Sequence, residues 1–336
     1  MTSAPSESSR FSRVIDVLSG ASRWIVLCHT HPDGDALGSA SALVSAAKGL
    51  GKSVAWGGPD IIPSNYMFLP FTEEYRPGLD LRSPPPDAGT AVVALDTSTR
   101  ARSVDGISSL PPSVHLVNLD HHADNEMFGT VNYIDAYASS TGEIVWMLID
   151  EWGIQLTTEA LEALYTAIVS DCGNFSFSCT SARTHRVAAN LLDRGVCPAK
   201  INDLLRSSAT PQALHLRGIA LSRAFVSGGF AAFTWLRKQD FENTGSAPSD
   251  SDSINGELFT LRGVSFSALF TEDDGYVRVS LRSRGAVEAA EIARSFGGGG
   301  HRQAAGCLLE LSLPEAVRAI QELVEKTYAE RTSAFK

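Results

Sequence analysis

Short apolar runs alternate with helical patterns throughout the first half of the chain. Four of these runs have no polar face: WIVLC, KSVAW, AVVALD and VHLVNLD. The stretch GSASALVSAAKGLG between the first two has the composition and length of a helix. Strands that are apolar on both faces are typical of parallel sheets covered by helices. The pattern therefore predicts an α/β fold with an open parallel sheet.

The rest of the chain divides into three parts with different secondary-structure patterns. Amphipathic helices, each opened by a capping Ser or Thr, continue to about residue 195, and a mainly helical stretch interrupted by Pro211 follows. Beyond it the strand-like runs GGFAAFTWL, VSFSALF and YVRVSLRS precede a closing helix. We predict four segments: a mobile tail at 1–12, a first domain at 13–195, a helical linker at 196–222 and a smaller α/β domain at 223–336.

Charge and cysteine content narrow the class of protein. The 336 residues carry a net charge of -10, which argues against a partner such as long duplex nucleic acid, because that binding depends on a basic surface. The five cysteines are scattered and never form a CxxC pair, so neither a disulfide framework nor a zinc ribbon is indicated. No apolar run approaches membrane-spanning length and no signal peptide is evident. We expect a cytoplasmic protein without a membrane partner.

Carboxylates and imidazoles follow three of the predicted strands and one predicted helix. In an open α/β sheet, ligands bind beyond the carboxyl ends of the strands, so these side chains are expected to meet at one rim. The residues are His29, Asp33 and Asp35, then Asp96, then Asp120, His121 and His122, and finally Asp171. Gathering so many carboxylates costs several kcal/mol unless cations neutralise them. Oxygen and nitrogen ligands without thiolate favour two divalent ions, with Mn²⁺ preferred over Mg²⁺, Co²⁺ or Zn²⁺.

Each of these motifs taken alone has an ordinary explanation. An aspartate at a strand end is typically a turn or a helix cap, and a pair of histidines is typically at the surface or satisfied in the core. Their coincidence at four element ends is what favours a metal centre.

Four of these segments resemble the motifs of a known enzyme superfamily. In order they are HTHPDGDALGS, VVALDTS, NLDHHADN and SDCGNFSF. They resemble the motifs of the DHH phosphoesterase superfamily, and VSLRSR with GGGGHRQAAG resembles its DHHA1 domain. The compact layout is similar to the NrnA-type oligoribonucleases, or nanoRNases, which also act as phosphatases of 3'-phosphoadenosine 5'-phosphate (pAp). RecJ-type exonucleases share both domains but are larger.

The resemblance implies a role for each residue of the rim. One metal ion would be held by His29, Asp33, Asp96 and Asp171, and the other by Asp35, Asp96, His121 and Asp171. Of the two expected catalytic residues, Asp120 would orient a metal-bound imidazole and His122 would hold the phosphate.

The second domain is expected to bind the substrate across a cleft. A glycine run alone is typical of a flexible linker, but glycines also let backbone N–H groups cradle an anion. The resemblance favours contacts to the phosphate or the terminal nucleotide from Arg282, Gly299, Gly300 and His301. Arg102 has two alternatives, a second phosphate contact or a surface charge.

The resulting prediction is a Mn²⁺-dependent two-metal phosphoesterase. It would hydrolyse short RNA oligonucleotides to nucleoside 5'-monophosphates and also act on pAp. The alternatives are a phosphodiesterase of linear dinucleotides (pApA, pGpG), a RecJ-like single-strand exonuclease, a pyrophosphatase and a non-catalytic nucleotide-binding regulator. The family II pyrophosphatases lack a GGGGH type of motif, and the intact ligand set disfavours a non-catalytic regulator. A homodimer is a further expectation from the resemblance.

Overall fold

A computed structural model describes residues 10–206, 210–251 and 253–333. The chain forms two compact units, Met1–Ser208 and Ala209–Lys336. Residues 1–9 of the predicted mobile tail lie outside the described residues. Phe11, at the end of that tail, is fully buried and its ring stacks on Tyr133 at 4.2 Å between centroids.

The first unit is built on a six-stranded sheet in which every strand pair is parallel. Its strands are β1 (Arg23–Leu27), β2 (Ser53–Gly58), β3 (Arg76–Pro77), β4 (Thr90–Leu95), β5 (His115–Asp120) and β6 (Val131–Ile134). The order across the sheet is β3-β2-β1-β4-β5-β6. The four apolar runs form β1, β2, β4 and β5, which confirms the predicted α/β class. The two additional strands are short and lie at the edges.

Among the described residues of this unit, six α-helices accompany the sheet. They are α1 (Ser12–Gly20), α2 (Gly34–Gly49), α3 (Thr141–Trp152), α4 (Thr158–Asp171), α5 (Ala182–Asp193) and α6 (Pro198–Arg206). Helices α2, α3 and α4 meet at small residues: a Cβ added to Gly38 would lie 2.4 Å from the carbonyl oxygen of Ala163. A Cβ added to Gly142 would lie 2.4 Å from the Cβ of Ala167. This close packing fixes the helix ends that carry the predicted metal ligands.

The second unit contains a mixed six-stranded sheet. Its strands are β7 (Phe225–Ser227), β8 (Ala231–Leu236), β9 (Phe266–Asp273), β10 (Tyr276–Ser283), β11 (Gly299–His301) and β12 (Ala304–Leu309). The order is β11-β12-β10-β9-β8-β7, with β8 and β9 parallel and the other pairs antiparallel. The predicted smaller α/β unit is therefore confirmed. The glycine run, considered as a linker or an anion cradle, continues as strand β11.

The helices of the second unit are α7 (Pro211–Ser222), α8 (Lys238–Thr244), α9 (Ile254–Glu257), α10 (Ala289–Ser295) and α11 (Leu313–Ser333). One core joins α10 and α11 to the sheet, through residues such as Phe233, Val279, Ile292 and Ile320. Pro211 opens α7, because a missing N–H is tolerated in the first turn, and the predicted helical stretch is divided into α6 and α7 near this residue. Within the described residues, no helix has the length and apolarity needed to cross a bilayer.

Candidate metal centre

The turn after β1 and the start of α2 place three of the predicted ligands. Asp33 caps α2, and its Oδ1 accepts the backbone N–H groups of Asp35 and Ala36 at 3.0 and 3.1 Å. Asp35, in the first turn, is completely buried, and His29 is 2% exposed. The capping geometry therefore brings one partly exposed and one buried carboxylate next to a buried imidazole.

Asp96 lies at the centre of the cluster, directly after β4. Its φ is 54°, in the left-handed region that few residues other than glycine occupy and that aspartate tolerates better than most. Its Oδ2 is 3.3 Å from Nε2 of His29, and its Oδ1 is 3.4 Å from Nε2 of His121. Each oxygen of this carboxylate thus faces a different imidazole.

His121 connects Asp96 to the remaining ligands. Its Nε2 lies 3.3 Å from Oδ2 of Asp171 and 3.8 Å from Oδ2 of Asp35. Three groups have ligand atoms within 4.8 Å of one another: His29, Asp33 and Asp96; Asp35, His121 and Asp171; and Asp96, Asp120, His121 and His122. The structure therefore brings all six predicted metal ligands together within the first unit. The donor atoms are imidazole nitrogens and carboxylate oxygens, a set suited to divalent ions such as Mn²⁺ or Mg²⁺.

The start of α3 holds Asp35 in place, and sequence reasoning missed this contact. The backbone N–H groups of Thr141 and Gly142 donate to the two oxygens of Asp35 at 2.6 and 2.8 Å. The hydroxyl of Thr141 also donates to Asp96 at 3.1 Å. The unpaired N–H groups of a helix start favour an anion, so the Ser140-capped start of α3 was the available signal.

Asp120 contacts the second histidine of its motif. Its Oδ1 accepts a hydrogen bond from Nδ1 of His122 at 2.8 Å, and its hydrogen bond with His121 is to the backbone N–H. Asn125, which sequence reasoning also missed, donates from Nδ2 to the other oxygen at 2.6 Å. The imidazole oriented by Asp120 is thus that of His122, whereas the sequence expectation was a metal-bound imidazole. His122 remains about one-third exposed.

Arg102 lies behind His29. One guanidinium nitrogen is 3.0 Å from Nδ1 of His29, which is also 2.7 Å from the carbonyl oxygen of Thr30. The shorter contact to a carbonyl requires Nδ1 to carry a proton, so Nε2 is the nitrogen available to a cation. Arg102 places a permanent positive charge at the edge of the cluster.

Two of the residues predicted in the second unit lie in one row of its sheet, and the two glycines lie beside them on β11. Arg282 on β10 and His301 on β11 both pair with Ala304 on β12. Gly300 has a φ of 137°, and an added Cβ would lie 2.6 Å from the backbone of Ala304. Gly299 pairs with Gly306 in the same hairpin. The fold thus brings together two motifs that are separated in sequence.

Two family profiles match the chain. The profile described as DHH family, N-terminal domain, matches residues 23–168, and the DHHA1 domain matches residues 223–330. A relative from Thermus thermophilus is 37% identical over 90% of this chain and 89% of its own length. The chain belongs to the DHH family.

Several relatives of this DHH-family chain have assigned activities. The Thermus thermophilus protein and one from Bacillus subtilis are both named bifunctional oligoribonuclease and PAP phosphatase NrnA. The second is 28% identical over 88% of this chain and 91% of its own length. The crystal structure of an exopolyphosphatase-related protein from Bacteroides fragilis superposes with a TM-score of 0.85 and 23% identity, covering 96% of this chain and 98% of the other. This last match shows the shared two-unit fold.

The carboxylates of the DHH-family cluster have opposed pKa shifts. Burial, together with the carboxylates of Asp96 and Asp171, raises the pKa of Asp35 well above its usual value. Burial also raises the pKa of Asp171 to about 6. Burial opposes ionisation of Asp96 as well, but hydrogen bonds with His121 and His29 outweigh it and lower its pKa.

The two imidazoles at the centre are correspondingly basic. Burial alone would lower their pKa values, but hydrogen bonds to carboxylates outweigh it and raise the pKa of both His29 and His121 to about 10. The partners are Asp33 and Asp96 for His29, and chiefly Asp96 for His121. Without metal ions, protonated imidazoles therefore neutralise part of the carboxylate charge.

Proposed function

We propose that this DHH-family chain is a metal-dependent phosphoesterase that hydrolyses short oligoribonucleotides to nucleoside 5'-monophosphates and also converts pAp to AMP and phosphate. The observation that carries this proposal is the pair of adjoining ligand groups that meet at Asp96. It is supported by the 37% identity, over 89% of its length, to a relative with that pair of activities in its name. The chain's acidic net charge fits a substrate that is short and bound locally.

Two divalent cations, with Mn²⁺ the preferred ion, would occupy the two ligand groups. His29, Asp33, Asp96 and Asp171 would hold one, and Asp35, Asp96, His121 and Asp171 the other. When bound, such ions stabilise the charge that develops on a phosphate ester and make water a stronger nucleophile at neutral pH. The helix-start N–H groups of α3 would keep Asp35 oriented toward its cation, because they donate to both of its carboxylate oxygens.

Asp120 and His122 would act on the phosphate. The hydrogen bond that Nδ1 donates to Asp120 raises the pKa of His122, with a smaller contribution from Asp96 and against the effect of burial. Because Nδ1 is engaged by Asp120, Nε2 of His122 is free to donate to a phosphoryl oxygen. When protonated, the imidazole of His122 would hold the anionic substrate through Nε2 and supply a proton from this atom to the leaving oxygen.

Positive and glycine-rich elements would bind the rest of the substrate. We assign phosphate or terminal-nucleotide contacts to Arg282, Gly299, Gly300 and His301, and a second phosphate contact to Arg102. The shared row through Ala304 supports a common role for Arg282 and His301. We also place the protein in the cytoplasm, in agreement with its free cysteines, and retain the homodimer as part of the proposal.

Arg282→Ala is expected to raise KM for an RNA dinucleotide by about 10- to 100-fold, since a hydrogen bond to a charged group contributes roughly 1.5–3 kcal/mol. The kcat should change little, because the cluster in the first unit is intact. Steady-state kinetics with saturating Mn²⁺ measure both constants. Arg278→Ala is the matched control, because Arg278 lies on the same strand and face, four residues away. An unchanged KM for Arg282→Ala would remove this residue from the substrate site.

Metal affinity is expected to rise with pH. Since His29 and His121 have pKa values of about 10, each carries a proton at neutral pH that a cation must displace. Because each cation displaces one proton, Kd should fall about tenfold for each unit by which the pH rises, up to about pH 10. Calorimetric titration with Mn²⁺ at several pH values, in buffers of different ionisation enthalpy, measures the affinity and the protons released. A Kd that stays constant across neutral pH would contradict this protonation state.

A single substrate panel tests the proposed function. The purified protein with Mn²⁺ is offered 5'-labelled RNA oligomers of increasing length, pAp, pApA, pGpG and pyrophosphate, and the products are resolved by size. Rapid cleavage of the shortest RNAs, with phosphate release from pAp, supports the proposal. Processive degradation of the longest RNA would indicate a RecJ-like exonuclease instead. Activity on the dinucleotides alone, or on pyrophosphate alone, would redirect the assignment to those substrates.

A further inference from the structure

The second unit contains a groove that the proposed function does not use. It lies beside β7 and β8 and the first turns of α11, and its volume is about 370 Å³. The lining combines apolar rings with cationic and amide side chains: Phe225, Trp235, Val317, Arg237, Arg318 and Gln321. This volume is within the range of small-ligand sites, and the mixture of aromatic and polar groups is typical of them.

The groove is separate from the proposed phosphate contacts of the same unit. Arg282 pairs with Ser267, which pairs in turn with Ala232, so their side chains share one face of the sheet. Phe233 follows Ala232 and therefore points to the opposite face, and Trp235 points the same way as Phe233. Trp235 and Arg282 thus emerge on opposite faces of the sheet.

The charge of the groove suits an anion. Arg237 and Arg318 are both exposed, and within the described part of the chain no carboxylate oxygen lies within 4.0 Å of either guanidinium. The nearby Arg223 is different, because it forms an ion pair with Asp240 through both terminal nitrogens. Asp240 and Glu315 interact with the guanidinium groups of Arg237 and Arg318 at longer range only. Two guanidinium groups without an ion-pair partner within 4.0 Å among the described residues therefore provide a local site for a phosphate in one groove of this acidic protein.

The neutral part of the groove suits a flat ring with hydrogen-bonding edges. Trp235 is half-buried and meets Phe225 edge to face, with 6.3 Å between centroids and 61° between planes. The core beneath therefore supports the indole as a stacking surface. Nε2 of Gln321 donates to Ser227 at 3.0 Å and to Glu325 at 2.8 Å, which leaves the amide oxygen as an acceptor.

We propose that this groove is a second nucleotide-binding site, which takes one nucleoside monophosphate unit. The base stacks on Trp235, the phosphate binds Arg237 and Arg318, and the amide oxygen of Gln321 accepts from an amino group of the base. The choice of a nucleotide among aromatic anions rests on the proposed function. The same chemistry is offered by a free mononucleotide, the product of hydrolysis, and by one unit of an RNA strand.

Binding to the full-length protein without metal tests the site independently of catalysis. The protein carries Arg282→Ala, which weakens the other proposed nucleotide contact, and EDTA prevents hydrolysis. 5'-AMP and short oligoadenylates are titrated while tryptophan fluorescence and heat are recorded. We expect quenching on binding, and a Kd at least about tenfold higher when Arg318→Glu is added, as expected for the loss and reversal of a phosphate contact. Lys326→Glu, the same charge change on the same helix, should leave Kd unchanged.

A second variant tests the stacking surface. Comparison of AMP with oligoadenylate shows whether the groove binds a free mononucleotide or one unit of an RNA strand. Trp235→Phe should abolish the quenching while heat still reports binding, since a ring remains in place. Tighter binding of oligoadenylate than of AMP would assign the groove to RNA, and equal affinity would assign it to the free mononucleotide. Equal affinities of the Arg318→Glu and Lys326→Glu proteins would overturn the site. If the substrate panel shows no hydrolysis while nucleotides still bind to the groove, only the proposed function is overturned.

Discussion

Asp96→Asn is expected to lower kcat for both an RNA dinucleotide and pAp by at least about a thousandfold, or roughly 4 kcal/mol of transition-state stabilisation. The reason is position: one oxygen of Asp96 faces His29 and the other faces His121, so this residue joins the two ligand groups. An amide of the same shape has no charge and only one oxygen to offer. Asparagine also tolerates the left-handed backbone at this position, so the fold should be preserved.

The control for Asp96→Asn removes one carboxylate elsewhere in the first unit. Asp193→Asn, at the exposed end of α5, should retain full turnover. Thermal melting with and without Mn²⁺ separates the two effects: the ion should raise the Tm of the Asp193 variant and of the natural protein much more than that of the Asp96 variant. Turnover by Asp96→Asn within tenfold of the natural protein at saturating Mn²⁺ would refute the central role of this residue.

The ligand positions could be predicted because they follow from strand topology. Runs such as AVVAL are apolar on both faces, which indicates a parallel sheet, and the carboxyl ends of parallel strands share one rim. Asp96 and His121 could therefore be expected to meet before any geometry was known. The two strands that were missed, β3 and β6, are two and four residues long, too short to produce a pattern.

The contacts that orient the ligands could not be predicted in the same way. Thr141 and Gly142 act on Asp35 through backbone N–H groups, and the Ser140 cap indicates only the helix start that carries these groups. Asp120 could orient either neighbouring histidine, and only the local backbone turn selects His122. A capped helix start indicates free N–H donors, but tertiary packing decides which carboxylate accepts hydrogen bonds from them.

Strand register limited prediction in the second unit. Arg282 and Arg284 alternate with serine in SLRSR, and this alternation by itself predicts that both side chains lie on one face of a strand. In the structure Arg284 lies beyond the end of β10, where it donates to the carbonyl oxygens of Phe259 and Val264. The row that joins Arg282 to His301 depends on the β10-β12-β11 pairing, which spans a helix and cannot be read from local sequence.

Gly38→Ala is expected to destabilise the first unit by about 2–3 kcal/mol, the upper range for overpacking. In an unpacked helix the same change would stabilise by up to about 1 kcal/mol, because alanine is the better helix former. Here the new Cβ would lie 2.4 Å from the carbonyl oxygen of Ala163, so α2 and α4 must move apart. Their ends carry Asp35 and Asp171, and the change should therefore also weaken metal binding.

The direction of the change in stability tests the close packing of α2 on α4. Gly49→Ala lies in the same helix at a position where nothing is within 4 Å of the added Cβ, so it should be neutral or slightly stabilising. For a unit of this size, the Gly38 change corresponds to a fall in Tm of roughly 5–10 °C in metal-free protein. Differential scanning calorimetry of the two variants makes the comparison. A Tm for Gly38→Ala equal to that of Gly49→Ala would show that α2 and α4 can separate freely, and that their close approach does not position Asp35 and Asp171.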